Sequence, residues 1–129
     1  MVLGLLNVDQ SGSNSMKKLL IVEDESIIAR EYKLIVEQNG YRVIKIVNNG
    51  KDAIEAAIEN NPDFILMDIN IKGNMNGIEA AKEIYNNQIR SKIIFITAFD
   101  VSAFVFPEFE HYFLNKPIMT NNLLSLLNN

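Results

Sequence analysis

Three continuous apolar runs of four residues most strongly constrain what this chain can fold into. They cover residues 19–22, 64–67 and 93–96, and a polar residue directly follows each run. A strand that is apolar on both of its faces must be covered on both sides. The three runs therefore predict central strands of a parallel sheet, with helices packed on each face.

Stretches of helical periodicity separate the apolar runs. Their apolar residues recur every three or four positions, which places them on one face of a helix. Gly40 follows the first stretch, and glycine is the residue that most readily ends a helix. The predicted helices cover residues 26–39, 49–60, 77–86 and 120–127.

Two further strand candidates complete the pattern. Residues 41–47 alternate in polarity and include Arg42 and Lys45, as expected of an edge strand. Residues 112–115 form a short fifth candidate. Strands and helices thus alternate along the chain, which predicts an α/β fold. Its core is a doubly wound, five-stranded parallel sheet with right-handed crossovers.

The length and the charge of the chain bound its organisation. At 129 residues it suits one domain, which we place at residues 16–129, and we interpret residues 1–15 as a leader or tag. The net charge of −4 opposes contact with a phosphate backbone, so we expect no direct binding to nucleic acid. No apolar run approaches the roughly 18 residues that cross a bilayer, so we expect no membrane insertion.

The reactive side chains narrow the chemistry. The chain has no cysteine, which excludes a thiol nucleophile, a thiolate zinc site and disulfides. Its one histidine, His111, cannot form a multi-histidine metal site, and we expect it at the surface without a role. Covalent chemistry therefore falls to oxygen and amine groups.

Polar residues that follow the predicted strands gather at one edge of the sheet. The carboxyl ends of parallel strands share that edge, and ligand sites form beyond it. We therefore predict a site of carboxylates, a hydroxyl and an ammonium. Glu23, Asp24 and Glu25 follow the first strand, Asp68 the third, Thr97 the fourth and Lys116 the fifth.

This acidic cluster requires a counterion, because carboxylates at close range oppose one another's ionisation. Oxygen ligands without cysteine or histidine select Mg²⁺, Mn²⁺ or Ca²⁺, and a few carboxylates with retained waters are typical of Mg²⁺. With Lys116 as a second positive charge, the pocket suits a phosphoryl group. Asp68 is then the predicted nucleophile, and Thr97 can donate a hydrogen bond to a phosphoryl oxygen.

Four segments show a family resemblance. They read IVEDE at residues 21–25, LMDIN at 66–70, ITA at 96–98 and LNKP at 114–117. In their order and spacing, over residues 17–127, the chain resembles the receiver domain of two-component response regulators, of the chemotaxis-regulator type. The resemblance implies a flavodoxin-like fold with strand order 2-1-3-4-5 and a cytoplasmic location. It also implies a regulatory switch rather than a turnover enzyme.

The resemblance further implies roles for the site residues. Asp68 would be the phosphoacceptor, taking a phosphoryl group from a sensor histidine kinase or a histidine phosphotransfer protein. Asp24, Asp68 and the backbone carbonyl of Asn70 would ligate Mg²⁺, and Glu23 would act mainly through water. Lys116 would bridge Asp68 and the phosphate.

A conformational switch would follow phosphorylation. Thr97 would shift toward the phosphate, and Phe113 would be the switch aromatic. The peptide between Lys116 and Pro117 would be cis. Through its surface the receiver would contact a downstream protein partner or form a homodimer.

Two segments depart from the family pattern. The loop at residues 69–76 is one residue longer than in most receivers, and Asn76 stands where an aspartate is usual. Between Thr97 and Lys116 the chain is a few residues short, and Pro107 interrupts the region of the fourth helix. We therefore predict that the fourth helix of the family pattern, which lies between the fourth and fifth strands, is shortened or distorted here. Aromatic residues of this segment would cover the sheet. These residues are Phe99, Phe104, Phe106 and Phe109.

Three other functions remain open. A Mg²⁺-dependent phosphatase with an aspartyl nucleophile shares the chemistry of Asp68 and Lys116, but such enzymes usually place a second aspartate where this chain has Asn70. A flavodoxin-like nucleotide binder shares the fold, but the acidic run after the first strand would repel phosphate. A degenerate receiver would keep the fold and signal through protein contacts without phosphorylation.

Overall fold

The computed structural model describes residues 16–98 and 100–128, so the predicted leader at residues 1–15 and Phe99 lie outside the described residues. None of the described helices has the length and apolar content needed to cross a membrane. The strands are β1 (Lys18–Val22), β2 (Arg42–Val47), β3 (Phe64–Asp68), β4 (Lys92–Thr97) and β5 (Tyr112–Asn115). The α-helices are α1 (Ser26–Glu37), α2 (Gly50–Asn60), α3 (Gly77–Asn86) and α4 (Thr120–Asn128).

The five strands form one parallel sheet in the order β2-β1-β3-β4-β5. This order confirms the expected doubly wound topology. The apolar runs of β1, β3 and β4 are buried inside the sheet, whereas β2 is an edge strand that exposes Arg42 and Lys45. β2 lies on one side of β1, and β3 lies on the other. Because the strand order reverses direction at this point, a cleft forms at the carboxyl ends of β1 and β3.

Two apolar cores cover the sheet, one on each face. Side chains alternate along the central strands, so Leu20 and Ile65 join one core while Leu19 and Leu66 join the other. The first core packs under α2 and α3, and the second packs under α1 and α4. The central strands therefore need apolar residues on both faces, as predicted.

Asparagine side chains define where α2 and α3 begin. Asn49 accepts a hydrogen bond from the N–H of Asp52 at 2.9 Å. Asn76 accepts one from the N–H of Glu79, and the Glu79 carboxylate accepts one from the N–H of Asn76, both at 2.9 Å. These caps satisfy N–H groups that a helix start leaves without partners. The second cap also ends the long loop after β3 and fixes the start of α3 beside Asp68.

The crossover from β4 to β5 holds a single 3-10 turn, Val101–Ala103, and no α-helix in its described residues. This confirms the prediction that the helix between β4 and β5 is shortened or distorted, since one 3-10 turn stands in its place. Phe104, Phe106 and Phe109 are half-buried and pack against the core on the α2 and α3 face, as predicted. Aromatic rings thus cover the part of the sheet that a helix would otherwise cover.

The surface position predicted for His111 is wrong. Its ring is half-buried and stacks on Phe106, with ring centroids 5.5 Å apart, and Phe95 meets it edge-on at the same distance. The Nδ1 atom lies 2.9 Å from the carbonyl oxygen of Phe109. The physical reason is the short crossover, because the space beside β4 is filled by rings rather than by a helix.

Gly77 lies where a side chain would collide with the strand that carries Asp68. A Cβ atom at this position would lie 2.3 Å from the backbone oxygen of Asp68, which cannot move without a shift of β3. We expect Gly77→Ala to lower the free energy of unfolding by about 2–3 kcal/mol, as overpacking of a rigid core does. Urea denaturation measures this loss.

Gly73→Ala is the matched control for this substitution. Gly73 has a φ of 96° and no heavy atom within 4 Å of an added Cβ. Alanine there meets only the strain of the left-handed backbone, about 1 kcal/mol. Equal losses in the two variants would show that the contact with Asp68 is not the cause.

Candidate functional site

The carboxyl ends of the strands bring the predicted site residues to one edge of the sheet. Glu23 and Asp24 follow β1, Asp68 ends β3, and Lys116 follows β5. Since β1 and β3 are paired neighbours, their acidic ends lie side by side. The long side chain of Lys116 reaches them from beyond β4.

Three carboxylates share a small volume at this edge. Glu23, Asp24 and Asp68 each place a carboxylate oxygen within 4.8 Å of the other two. Glu23 and Asp68 are only 2% and 3% exposed, so little solvent screens their charges. The cluster therefore has the mutual repulsion expected from the sequence, and it requires positive charge.

The ammonium of Lys116 supplies one positive charge to this cluster. Its Nζ atom lies 3.0 Å from Glu23 Oε1, and it donates a hydrogen bond of 3.1 Å to Asp68 Oδ2. The carboxylate of Glu25 lies 3.9 Å away. Burial disfavours the charged ammonium, but the negative charges of Glu23 and Asp68 and the hydrogen bond to Asp68 outweigh burial and raise the pKa of Lys116 above its ordinary value. The lysine is therefore protonated at neutral pH.

Burial also acts on the carboxyl group of Glu23. Burial raises the pKa of its carboxyl group from 4.5 to about 7, and the charge of Asp68 adds to the rise. The N–H of Glu25 and the ammonium of Lys116 act in the opposite direction, because both favour the ionised carboxylate. The buried Oε1 atom accepts no hydrogen bond from the described residues, so its contact with Lys116 is an ion pair without hydrogen-bond geometry. Near neutral pH, a fraction of the molecules therefore carries a proton on Glu23.

A cavity of about 370 Å³ opens beside Asp68. The N–H of Asn70 donates a hydrogen bond of 3.1 Å to Asp68 Oδ1, the oxygen that does not bond to Lys116. Both oxygens of the Asp68 carboxylate are thereby held in place at the cavity. The residues that line it are Asp24, Glu25, Asp68, Asn70, Ala98 and Lys116.

Neither of the predicted switch residues, Thr97 and Phe113, is among the described residues that line the cavity. Thr97 ends β4 and is 1% exposed, and its carbonyl accepts a hydrogen bond of 2.9 Å from the N–H of Lys116. Phe113 is 40% exposed on β5, and its ring meets Phe106 edge-on with centroids 4.6 Å apart. Thr97 is thus joined to the site through the backbone, and Phe113 is joined to the aromatic crossover.

Glu25 lies at the site and Tyr32 lies near it, although neither has a predicted role. Glu25 lines the cavity and contacts Lys116, and the sequence signal for it was its place in the acidic run after β1. Tyr32 is buried close enough for the charges of the cluster to act on its hydroxyl, and burial raises its pKa to about 12. Its position on the apolar stripe of α1 gave no sign of this proximity.

The arrangement is suited to nucleophilic chemistry on an anionic group. The Asp68 carboxylate is held between a protonated amine and a backbone N–H, and it faces an open cavity. A carboxylate in such a position can attack an electron-poor atom, while the ammonium neutralises charge on the oxygens of the incoming group.

Comparison with known families places most of the chain in one family. The family model of the response regulator receiver domain matches residues 19–128. The chemotaxis protein CheY of Thermotoga maritima is 34% identical over 115 residues, which cover 87% of this chain and 95% of that protein. The response regulator ArlR of Staphylococcus saprophyticus is 43% identical over 83 residues, which cover 64% of this chain and 36% of that protein.

Solved structures lead to the same family. The N-terminal domain of a response regulator/sensory box/GGDEF 3-domain protein from Carboxydothermus hydrogenoformans matches with a TM-score of 0.77 and 30% identity, over 87% of this chain and 91% of that chain. A CheY-like receiver domain from Methylobacillus flagellatus matches with a TM-score of 0.76 and 25% identity, over 88% and 98%. These matches and the strand order confirm the resemblance seen in the sequence. The chain belongs to the family of response regulator receiver domains.

Proposed function

We propose that this receiver domain accepts a phosphoryl group on Asp68 from a phosphohistidine of a sensor histidine kinase or of a histidine phosphotransfer protein. The observation that carries the proposal is the ammonium of Lys116, which lies within 3.1 Å of both Glu23 and Asp68. A phosphoryl group in the adjoining cavity meets a nucleophile and a positive charge together. The domain acts as a regulatory switch rather than as a turnover enzyme.

Mg²⁺ fits the donor atoms of the site. The candidate ligands are carboxylate and carbonyl oxygens, and the buried Oε1 of Glu23 accepts no hydrogen bond from the described residues. Asp24, Asp68 and the backbone carbonyl of Asn70 would hold the ion, with Glu23 acting through water. When bound, Mg²⁺ supplies positive charge to the oxygens of the phosphoryl group.

Asp68 and Lys116 share the transfer step. An oxygen of Asp68 attacks phosphorus and forms a P–O bond, while the P–N bond to the donor histidine breaks and leaves its electron pair on nitrogen. The Lys116 ammonium neutralises negative charge on the phosphoryl oxygens. The N–H of Asn70 keeps the Asp68 carboxylate oriented, because it bonds to the oxygen that Lys116 does not bond to.

Thr97 and Phe113 transmit the change away from Asp68. A phosphoryl group brings new oxygens that accept a hydrogen bond from the Thr97 hydroxyl, and movement of Thr97 pulls on the crossover after β4. Phe113 contacts Phe106 of that crossover, so a shift there alters the exposed surface. In the proposed function this surface contacts a downstream protein partner or a second copy of the chain, in the cytoplasm.

Incubation with phosphoramidate and Mg²⁺ tests the proposed function. We expect intact-mass spectrometry to show a single added phosphoryl group on the wild-type protein, because Asp68 is the proposed acceptor. Asp68→Asn, and wild-type protein treated with EDTA, should gain none. Asp52→Asn, which changes an exposed carboxylate on α2, is the matched control and should be phosphorylated like the wild type. Equal phosphorylation of Asp68→Asn would contradict the assigned acceptor, and an unmodified wild type would contradict the function.

The raised pKa of Glu23 predicts how stability depends on pH in metal-free buffer. The folded protein keeps a proton on Glu23 up to a pKa of about 7, whereas the unfolded chain releases it near 4.5. Between these values the folded state binds more protons, so this group lowers the free energy of unfolding as the pH rises. We expect Glu23→Gln to match the wild type near pH 4 and to be more stable by about 1 kcal/mol at pH 8.

Urea denaturation in EDTA at both pH values measures this difference. Glu55→Gln, which changes an exposed carboxylate on α2, should differ from the wild type equally at both pH values. Added Mg²⁺ should stabilise the wild type more than Glu23→Gln at pH 8, because Glu23 is mostly ionised at that pH and its negative charge attracts the ion. A pH-independent difference between wild type and Glu23→Gln would contradict the pKa assignment.

A further inference from the structure

Glu25 places a carboxylate at the mouth of the cavity. It is the residue that precedes α1, yet its side chain makes no capping hydrogen bond to that helix. Its N–H instead donates a hydrogen bond of 3.1 Å to Glu23 Oε2, which fixes the backbone at the end of β1. The side chain is 65% exposed, and its Oε1 atom lies 3.9 Å from the Nζ atom of Lys116. The carboxylate therefore faces the cavity rather than its own helix.

The charge of Glu25 is distinctive within the exposed part of the cavity lining. Glu25, Asn70 and Ala98 are the exposed lining residues, whereas Asp68 is buried and both Asp24 and Lys116 are half-buried. Of these three exposed residues, only Glu25 is charged. A phosphoryl donor must reach Asp68 from the open side, and its leaving group must depart on that side. The leaving group therefore passes close to a carboxylate.

We propose that Glu25 selects phosphoryl donors by the charge of their leaving group, an inference that rests on the proposed function. The favoured class is N-phosphoryl donors whose leaving group carries positive charge, on the ammonium nitrogen in phosphoramidate and on the protonated imidazole ring in phosphohistidine. The disfavoured class is acyl phosphates, in which a carboxylate departs. Glu25 attracts the positive charge that the first kind of leaving group carries until its bond to phosphorus breaks, and it repels the negative charge that develops on the second. It is therefore a specificity-determining residue.

The two transfer steps differ at the leaving atom alone. With phosphoramidate, whose nitrogen is an –NH3+ group, the P–N bond breaks, and the nitrogen takes the electron pair and leaves as neutral ammonia. With acetyl phosphate, the P–O bond breaks, and acetate leaves with the electron pair and a negative charge. In both cases an oxygen of Asp68 forms the new P–O bond. During transfer the leaving group near Glu25 is therefore partly positive with phosphoramidate and partly negative with acetyl phosphate. Measured from the free donor, Glu25 acts with opposite sign on the two rate constants.

The expected size of the effect follows from Coulomb's law. A unit charge about 6 Å from an exposed carboxylate, in a medium close to water, changes a rate constant about threefold to fivefold. Glu25→Gln should therefore slow phosphorylation by phosphoramidate and speed phosphorylation by acetyl phosphate. The ratio of the two rate constants should fall by about fivefold or more, since the two effects have opposite signs.

Intact-mass time courses with both donors test this inference. Wild type, Glu25→Gln and the control Glu31→Gln, which changes an exposed carboxylate further along α1, are compared at Mg²⁺ concentrations that saturate each variant. Saturation is set from the rise in thermal midpoint with added Mg²⁺. Glu31→Gln should keep the wild-type ratio. The wild-type preference for phosphoramidate should also shrink at about 1 M salt, where the screening length is about 3 Å.

Three results would overturn the inference about Glu25. A ratio in Glu25→Gln that equals the wild-type ratio would overturn the inference. Equal slowing with both donors would also overturn it, since that result would mean that Glu25 acts only by holding Lys116. If the wild type is phosphorylated by neither donor, the proposed function itself fails, and the inference that rests on it fails too.

Discussion

The contacts of Lys116 with Glu23 and Asp68 impose the central constraint on this structure. Two carboxylates buried side by side destabilise a fold unless a cation lies with them. Here the cation comes from the end of β5, on the far side of β4 from the acidic residues. The ion pairs thus join the edge strand to the β1 and β3 pair through side chains, in addition to the backbone ladder through β4. Neutralisation of the acidic cluster therefore depends on the position of β5 beside β4, and the ion pairs in turn help to hold β5 in that position.

The features that were predictable from the sequence are those encoded in local pattern. Continuous apolar runs identify strands that lie between two layers of helices, and the alternation of runs with helical periods leads to a parallel sheet. In a parallel sheet the ends of all strands share an edge, so the residues after each run are candidates for one site. Asp68 and Lys116 could be paired in this way although 48 positions separate them.

The features that were not predictable depend on side-chain direction and on long-range packing. Glu25 was predicted at this edge, but the sequence does not indicate whether its side chain caps α1, faces solvent or turns toward Lys116. Tyr32 belongs to an ordinary apolar stripe, so its closeness to the charged cluster is visible only in three dimensions. His111 was misplaced because its surroundings come from Phe95 and Phe106, whose positions depend on how the short crossover folds.

The crossover between β4 and β5 has a consequence for how fast this surface can change shape. A helix holds its conformation through a ladder of backbone hydrogen bonds, and its rearrangement requires that several of them break together. Here the contacts of Phe104, Phe106 and Phe109 with the core take the place of a helix. A change of rotamer in a half-buried ring breaks no backbone hydrogen bond, so the segment can adopt a new surface without the cooperative loss of hydrogen bonds that a helix requires. Because rings take the place of a helix, this face of the protein rearranges less cooperatively, while the sheet beneath it still unfolds as a cooperative unit.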